Sequence, residues 1–358
     1  MSLWVNALAT RSGGGLTVLE GLGRALVEQS DAPVRFLVRA DVRPLLPEPV
    51  RSSTVVGPVG TGLAGRLWWE QARLTRAVAK QGDVVLGLSN LTSVVGGRGV
   101  RQAVLVQNVA PLSREVRGMY GGRDRLRLEL LRRLTLRSVR TARVTFVFTD
   151  CLAQLIRSLV PTATVVRIPP GGALDGPPKP AHGGGEAPYV VVLSDLRRYK
   201  GVEDAIQAIA RPALDGIRLL VCGGTPEPNY RDHLQTVASE LGVGRRIEFR
   251  APAKRQEMGG LIDEAVCLVQ TSRMESLGLP VIEGLSRGAP VVSTDIPSAR
   301  EVGGNDITLY RPGDIDALAT AIATARDEGR PTTVAAREVE GRFEWRETAR
   351  VVLEELRT

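Results

Sequence analysis

The chain has 358 residues, enough to bury two cores, and its 43% hydrophobic and 24% charged content excludes a disordered or collagen-like protein. No apolar run approaches the roughly 20 residues of a spanning helix. The opening MSLWVNALATRSGGG lacks the basic start and apolar core of a secretory signal, and Cys151, Cys222 and Cys267 sit at spacings no metal site uses, so a cytoplasmic protein is expected.

Charge is unevenly spread. Residues 1–175 hold 24 Arg and Lys against 12 Asp and Glu, whereas residues 176–358 hold 23 against 27. The first half is therefore expected to meet something anionic. Only four basic residues are lysines (Lys80, Lys179, Lys200 and Lys254), which singles each of them out in an arginine-rich chain.

In chain order, apolar runs predict strands at Leu3–Ala9, Val34–Arg39, Val84–Leu88, Ala103–Gln107, Thr145–Phe148 and Thr164–Ile168, with helical periodicity between them. The Gly- and Pro-rich stretch 171–188 breaks the pattern and reads as a linker. Strands resume at Tyr189–Ser194, Ile217–Gly223, Arg246–Phe249, Val266–Gln270 and Pro290–Ser293. This alternation predicts two doubly wound α/β domains built on parallel sheets, which bind ligands at the carboxyl ends of their strands.

Gly13, Gly14 and Gly15 lie between the first strand and the first helix, where exposed backbone amides and the helix dipole suit an anion; a plain tight turn reads equally well. Gly60-Thr-Gly62-Leu-Ala-Gly65 matches a dinucleotide fingerprint in the wrong context, because it is not in the first strand–helix unit and Pro58 interrupts its approach. Segment 114–143 carries ten arginines. Its stripe of Leu126, Leu130, Leu131 and Leu134 is expected to face the core, while the arginines are free to draw the chain towards anionic lipid. The segment has no interleaved aromatics, which argues against nucleic acid.

Lys200 follows a second-half strand and precedes Gly201 and a helix, which places an ammonium at a carboxyl edge where it suits a diphosphate. In TSRMESLGLPVIEGLSRG (271–288), Glu275 lies in a loop and Glu283 in the first turn of the helix that Pro280 opens. The carboxylates suit sugar hydroxyls, and the amides of Leu277, Gly278 and Leu279 suit phosphate oxygens. Asp314-Ile-Asp316 imitates a metal motif, but its place before a helical run makes it a helix cap.

ESLGLPVIEGLSRGAPVV resembles the E-x7-E signature of the retaining GT-B glycosyltransferases of family 4. The glycine-rich first loop, Lys200-Gly201, IPPGG at 168–172, Arg300-Glu301-Val302 and the terminal FEWRETARVVLEEL extend the resemblance along the chain. It implies two facing Rossmann-like domains: 1–172 for the acceptor, a linker at 173–188, 189–338 for the nucleotide sugar, and 339–358 as a helix crossing back to the first domain. It also implies a nucleoside-diphosphate sugar donor, no metal and no further cofactor. The acceptor would be a glycan, a lipid-linked molecule or a small molecule, met in the cytoplasm or at the inner face of the membrane.

By the same resemblance Glu283 holds the ribose and Lys200 the diphosphate. Glu275, Ser276, Leu277, Gly278 and Leu279 hold the transferred sugar, and Gly13–Gly15 close over the phosphates. The family often has an arginine where this chain has Asp195, so Arg197 or Arg198 is expected to supply that charge. The first-domain histidine of many members is missing, since His182 and His233 lie elsewhere; Asn108 in Gln107-Asn-Val109 takes its place beside the sugar but cannot act as a base. Lys200, Glu275 and Asn108 are then the catalytic set. The rival readings are a sugar-nucleotide epimerase on the same fold and a non-catalytic nucleotide-sugar-binding protein.

Overall fold

A computed structural model describes residues 2–57, 62–78, 80–93, 99–174, 176, 187–330 and 341–357. The chain forms two compact units, Met1–Gly171 joined by Glu344–Thr358, and Gly172–Phe343.

In the first unit β1 (Leu3–Asn6), α1 (Gly13–Gln29), β2 (Val34–Val38), β3 (Thr54–Val56), α2 (Leu63–Ala72), α3 (Leu74–Val78), β4 (Val84–Gly87) and β5 (Arg101–Leu105) follow one another. Then come α4 (Arg114–Gly118), α5 (Gly122–Thr141), β6 (Val144–Val147), α6 (Asp150–Leu159) and β7 (Val165–Arg167). The strands form one parallel sheet in the order β3-β2-β1-β4-β5-β6-β7, so the winding direction reverses between β1 and β4. Central strands such as VVLG and VTFV are buried at every residue, which is why they read as unbroken apolar runs.

The second unit contains β8 (Tyr189–Leu193), α7 (Val202–Ile209), β9 (Arg218–Cys222), α8 (Pro228–Glu240), β10 (Ile247–Arg250), α9 (Arg255–Glu264) and β11 (Leu268–Gln270). It ends with α10 (Leu279–Ser286), β12 (Val291–Thr294), α11 (Pro297–Gly303), β13 (Thr308–Tyr310) and α12 (Ile315–Glu328). Its parallel sheet runs β10-β9-β8-β11-β12-β13 and reverses between β8 and β11. Val190, Val192, Leu219 and Val221 meet Ile206 and Ile322 in its core. Asp314 caps α12, its carboxylate accepting from the Ala317 amide at 3.0 Å. Of the dinucleotide-like pattern, Gly60 and Thr61 lie outside the described residues, and Gly62 is the N-cap of α2.

Two expectations fail here. The sequence omits β3 and β13, three-residue strands at the sheet edges that are too short for periodicity to show. The leucines of α5 do not form a core stripe. Leu126 and Leu130 are 72% and 46% exposed, while Thr135, Leu136, Ser138 and Val139 carry the buried face. The C-terminal half of α5 lies against β5, and its N-terminal half runs beside the short α4, where Arg117 pairs with Glu129 at 3.3 Å.

The last helix, α13 (Trp345–Arg357), belongs to the first unit and packs on α1. Thr348 donates to the Pro169 carbonyl at 2.7 Å, and Arg357 pairs with Asp31 at 2.6 Å. The Trp345 indole lies edge-on to Phe148 and so close to α1 that a β-carbon on Gly21 would sit 2.0 Å from its Nε1. Glycine-to-alanine exchange inside a helix normally stabilises by about 0.5–1 kcal/mol. At Gly21 the indole must move, so Gly21→Ala is expected to destabilise by about 1–3 kcal/mol. A thermal melt followed by tryptophan fluorescence checks the sign.

Candidate functional site

Where strand order reverses in a doubly wound sheet, the loops leaving the two flanking strands turn to opposite faces and leave a crevice at their carboxyl ends. In the second unit those strands are β8 and β11, and the loops that follow them carry Lys200 and Glu275. Their side chains meet, Lys200 Nζ donating to Glu275 Oε1 at 2.5 Å, with both largely buried at 17% and 13% exposure. Burial works to lower the ammonium pKa, but the charges of Glu275, Tyr199 and Asp195 outweigh it and hold the pKa above its ordinary value. Lys200 is therefore a fixed cation.

The two loops are stitched together along their backbones. Thr271 Oγ1 donates to the Lys200 carbonyl at 2.6 Å, and the Arg273 amide donates to the Tyr199 carbonyl at 2.8 Å. Lys200 closes a 3-10 turn, and Gly201 then takes φ 59°, with room for no β-carbon because the Thr271 carbonyl oxygen would lie 2.7 Å away. Beneath, Asp204 at the start of α7 is 3% exposed and accepts from Arg273 at 2.7 Å and from the Gly313 amide at 3.0 Å.

Glu283 comes in the second turn of α10, not the first, because the helix starts at Leu279 with Gly278 as its N-cap. That extra depth changes its surroundings. Glu283 is 3% exposed, its carboxylate makes no hydrogen bond among the described residues, and its nearest cation is Arg255 at 3.9 Å. Burial pushes its pKa up to about 7, with Arg255 opposing only part of the shift. Arg255 Nη1 and Gln270 Oε1 are the two buried side-chain atoms of this unit left without a hydrogen-bond partner among the described residues. Gln270 ends β11 and lies against Gly278, the N-cap of α10, and Arg255 faces Glu283 on the same helix. Buried polar groups without partners are rare, and their gathering here marks a place prepared for a polar ligand.

The neighbouring loop amides fit that role. Among the described residues the amides of Leu277, Gly278 and Leu279 have no intramolecular acceptor, while Ser276 keeps partners of its own. The arginines expected beside Lys200 divide: Arg197 lies 3.7 Å from Glu227, and Arg198 is exposed, its amide donating to Glu227 at 3.3 Å. Asp195 accepts from the Gly224 amide at 2.9 Å, so this position ties two loops together and does not bind an anion.

In the first unit the glycine run is not a loop ahead of a helix. Gly13, Gly14 and Gly15 are the first turn of α1, with no side-chain cap from Ser12 and no acidic residue among them. Asn108 is exposed in the loop after β5, and its own Oδ1 accepts from the Ala110 amide at 3.1 Å. The sequence gives no sign of what holds this loop. Asn90, buried and at φ 66°, accepts from the amides of Gln107 at 2.9 Å and Asn108 at 3.0 Å and donates to the Asn108 carbonyl at 2.6 Å. Asparagine tolerates this left-handed backbone better than most residues. Arg255 is equally silent in sequence, since nothing links it to a glutamate 28 positions away.

Comparison with known proteins agrees with this geometry. Residues 179–338 match the family model of the glycosyl transferases group 1. A GDP-mannose-dependent alpha-(1-6)-phosphatidylinositol monomannoside mannosyltransferase from Mycolicibacterium smegmatis is 29% identical over 229 residues, 57% of this chain and 59% of that protein. A D-inositol 3-phosphate glycosyltransferase from Mycobacterium marinum is 28% identical over 178 residues, 47% of this chain and 38% of that one. The chain thus spans about two fifths to three fifths of the length of these curated relatives. Anabaena HepE, solved in complex with UDP and glucose, superposes with a TM-score of 0.75 at 16% identity, covering 100% of both chains. The fold is GT-B.

The buried Asp204 network carries the site's loops, and this can be tested on stability alone. Removing one partner of a buried ion pair costs about 3–5 kcal/mol, and Asp204→Ala also strips the Gly313 amide of its acceptor. Urea denaturation is expected to show a loss of that size, and a loss below 1 kcal/mol would remove Asp204 from this role.

Proposed function

We propose that this chain, whose residues 179–338 match the model of the glycosyl transferases group 1, transfers a hexosyl or deoxyhexosyl group from a nucleoside-diphosphate sugar to an acceptor with retention of configuration and without a metal. The observation that carries this reading is the meeting of Lys200 and Glu275 at the point of strand-order reversal, with the unsatisfied Glu283 on the adjoining helix.

Each group then has a chemical task. Glu283 accepts from the ribose hydroxyls, which supply hydrogen bonds to a carboxylate that makes none among the described residues. Lys200 and the amides at the start of α10 face the charge that grows on the departing diphosphate, the role a metal would otherwise fill. Glu275, held by Lys200, accepts from hydroxyls of the transferred sugar together with the loop Ser276–Leu279. In the first unit the uncapped first turn of α1 offers the Gly13–Gly15 amides to phosphate oxygens, and Asn108 contacts the sugar without moving a proton. Positioning and oxyanion stabilisation supply the rate. Of the two arginines, Arg197 is the better second phosphate ligand, because its weak 3.7 Å contact with Glu227 leaves it free to turn.

The donor assignment has a measurable pH signature. The Glu283 carboxyl, with its pKa near 7, loses its proton between about pH 6 and 8 and becomes a stronger acceptor. Nucleoside-diphosphate affinity is expected to rise across that interval and to be lower and flat in Glu283→Gln, with about 1.5–3 kcal/mol lost at pH 8. Stability moves the opposite way. An acid whose folded pKa is raised stabilises fully below its unfolded value near 4.5 and loses that contribution as pH climbs through 7, on the order of 3 kcal/mol in the nucleotide-free protein. Calorimetric titration of UDP, GDP, ADP and dTDP at both pH values tests the assignment; equal affinities in wild type and variant would reject it. Release of free nucleoside diphosphate from nucleotide sugars separates transfer from epimerisation and from mere binding.

The proposal extends to where the enzyme works. Exposed Leu126 and Leu130 on α5 stand among the exposed Arg123, Arg125, Arg127 and Arg133, a face suited to weak contact with an anionic bilayer at about 1 kcal/mol per basic residue. No helix among the described residues is long and apolar enough to cross a membrane. Co-sedimentation with anionic vesicles is expected at low salt, to fade as salt rises, and to weaken in Arg125→Glu/Arg133→Glu. Equal pelleting with neutral vesicles would exclude charge as the cause.

A further inference from the structure

We infer that Arg255 is a second ligand of the donor's ribose: its unpartnered Nη1 donates to the same hydroxyl that donates to Glu283, and the pair selects ribonucleotides over deoxyribonucleotides. The inference rests on the reading of Glu283 as the ribose acceptor and adds the residue that makes this recognition specific.

The two groups come from different elements and meet through tertiary structure alone. Arg255 is the first residue of α9, and Glu283 lies in the second turn of α10. Their side chains are 25% and 5% exposed, and Arg255 Nη1 stands 3.9 Å from Glu283 Oε1. Opposite charges withdrawn from water attract strongly enough to close such a gap unless something holds them apart. Here the arginine is held from its other side. Its Nη2 donates to the Ala173 carbonyl at 2.5 Å and to the Gly172 carbonyl at 3.3 Å. That segment is fixed to α10 in turn. The Leu174 amide donates to Ser286 Oγ at 3.0 Å, and a β-carbon on Gly172 would sit 2.7 Å from Leu279 Cδ2. One nitrogen of the guanidinium is thus committed to the backbone, while Nη1 is buried without an acceptor among the described residues.

Few chemical groups complete this pair. Nη1 needs an acceptor, and the Glu283 carboxylate needs a donor. A phosphate oxygen satisfies the arginine and is repelled by the glutamate, and an ammonium does the reverse. A hydroxyl is acceptor and donor at once. A hydroxyl oxygen about 2.8–2.9 Å from both atoms bridges the 3.9 Å gap with an angle of roughly 90° at the oxygen. Two polar groups committed to one hydroxyl reject an analogue without it, because both are then left unpaired. A nucleotide with hydrogen in that position is such an analogue. A water fits the same gap, but only a ligand hydroxyl makes affinity depend on Arg255 and on the sugar together.

Calorimetry at pH 8, above the Glu283 pKa of about 7, would titrate UDP, GDP and ADP and, for the tightest of them, its 2′-deoxy and 3′-deoxy analogues. The wild type is expected to bind the ribonucleotide on the order of tenfold more tightly than one of the two analogues. Arg255→Gln is expected to weaken the ribonucleotide about fivefold and that analogue less than about twofold. Arg255→Lys keeps a cation beside Glu283 without the fork that reaches backbone and hydroxyl together, and is expected to fall between. If Arg255→Gln does not fold, Arg255→Lys carries the same comparison. Equal weakening of ribonucleotide and analogue in the variants is the mark of a structural residue and would overturn the assignment, as would a wild type indifferent to both deoxy positions. Binding of no nucleoside diphosphate at all would instead overturn the donor reading, and this assignment with it.

Discussion

The constraint on which the rest depends is the reversal of strand order between β8 and β11. Two parallel strands whose loops leave towards opposite faces cannot close over their own carboxyl ends, so the crevice is a consequence of topology and not of any residue in it. What the residues decide is how rigidly the two loops are set. Their backbones are joined through Thr271 and Arg273, and Arg273 is anchored in turn on the buried Asp204. Lys200 and Glu275 can then approach within a hydrogen bond although 75 residues separate them in sequence. Held apart, each would be a half-buried charge without a partner; held together, they form a fixed dipole at the mouth of the crevice.

A fixed dipole suits group transfer better than a free lysine would. A mobile ammonium loses conformational entropy each time it meets an anion, whereas one held by a carboxylate has already lost it. The cost is that Glu275 competes for the same cation, so a diphosphate must share Lys200. Glu283 represents the opposite arrangement, because it is buried with almost nothing to bond to. Proteins commonly give up stability where they bind, and here the concession is visible as an elevated carboxyl pKa and as the unsatisfied atoms of Arg255 and Gln270 beside it.

How much of this the sequence disclosed depended on whether the relevant residues were neighbours along the chain. The buried parallel strands read directly, because burial on both faces writes a continuous apolar run. Glu275 and Glu283 share one loop–helix segment, so their type and spacing stood out together. The helix start misled by a few residues: glycine disfavours helices, so Gly13–Gly15 read as loop, yet they form the first turn of α1. For α5 the helical period was right and the buried face wrong, because periodicity identifies a stripe but not whether the sheet extends far enough to cover it. Asn90, Asp204 and Arg255 were silent, since each acts through a partner far away in sequence.

The charge asymmetry of the chain takes on a different meaning when the pairs are resolved. In the second unit several acids are committed to arginines in sequence-distant pairs, among them Asp204 with Arg273 and Asp263 with Arg287. Its slight negative balance is therefore spread over neutralised contacts and leaves Lys200 as a cation with a defined address. Residues 1–175 have half as many acids as bases, so their arginines cannot all be neutralised by acids of the same stretch. Those on α5 stay in water, where solvent screens them and they cost little. Arg39 and Arg66 of the same unit are instead largely withdrawn from solvent, and each lies beside a carboxylate, Asp41 and Glu70, so burial in this fold goes to the arginines that have an acid to meet.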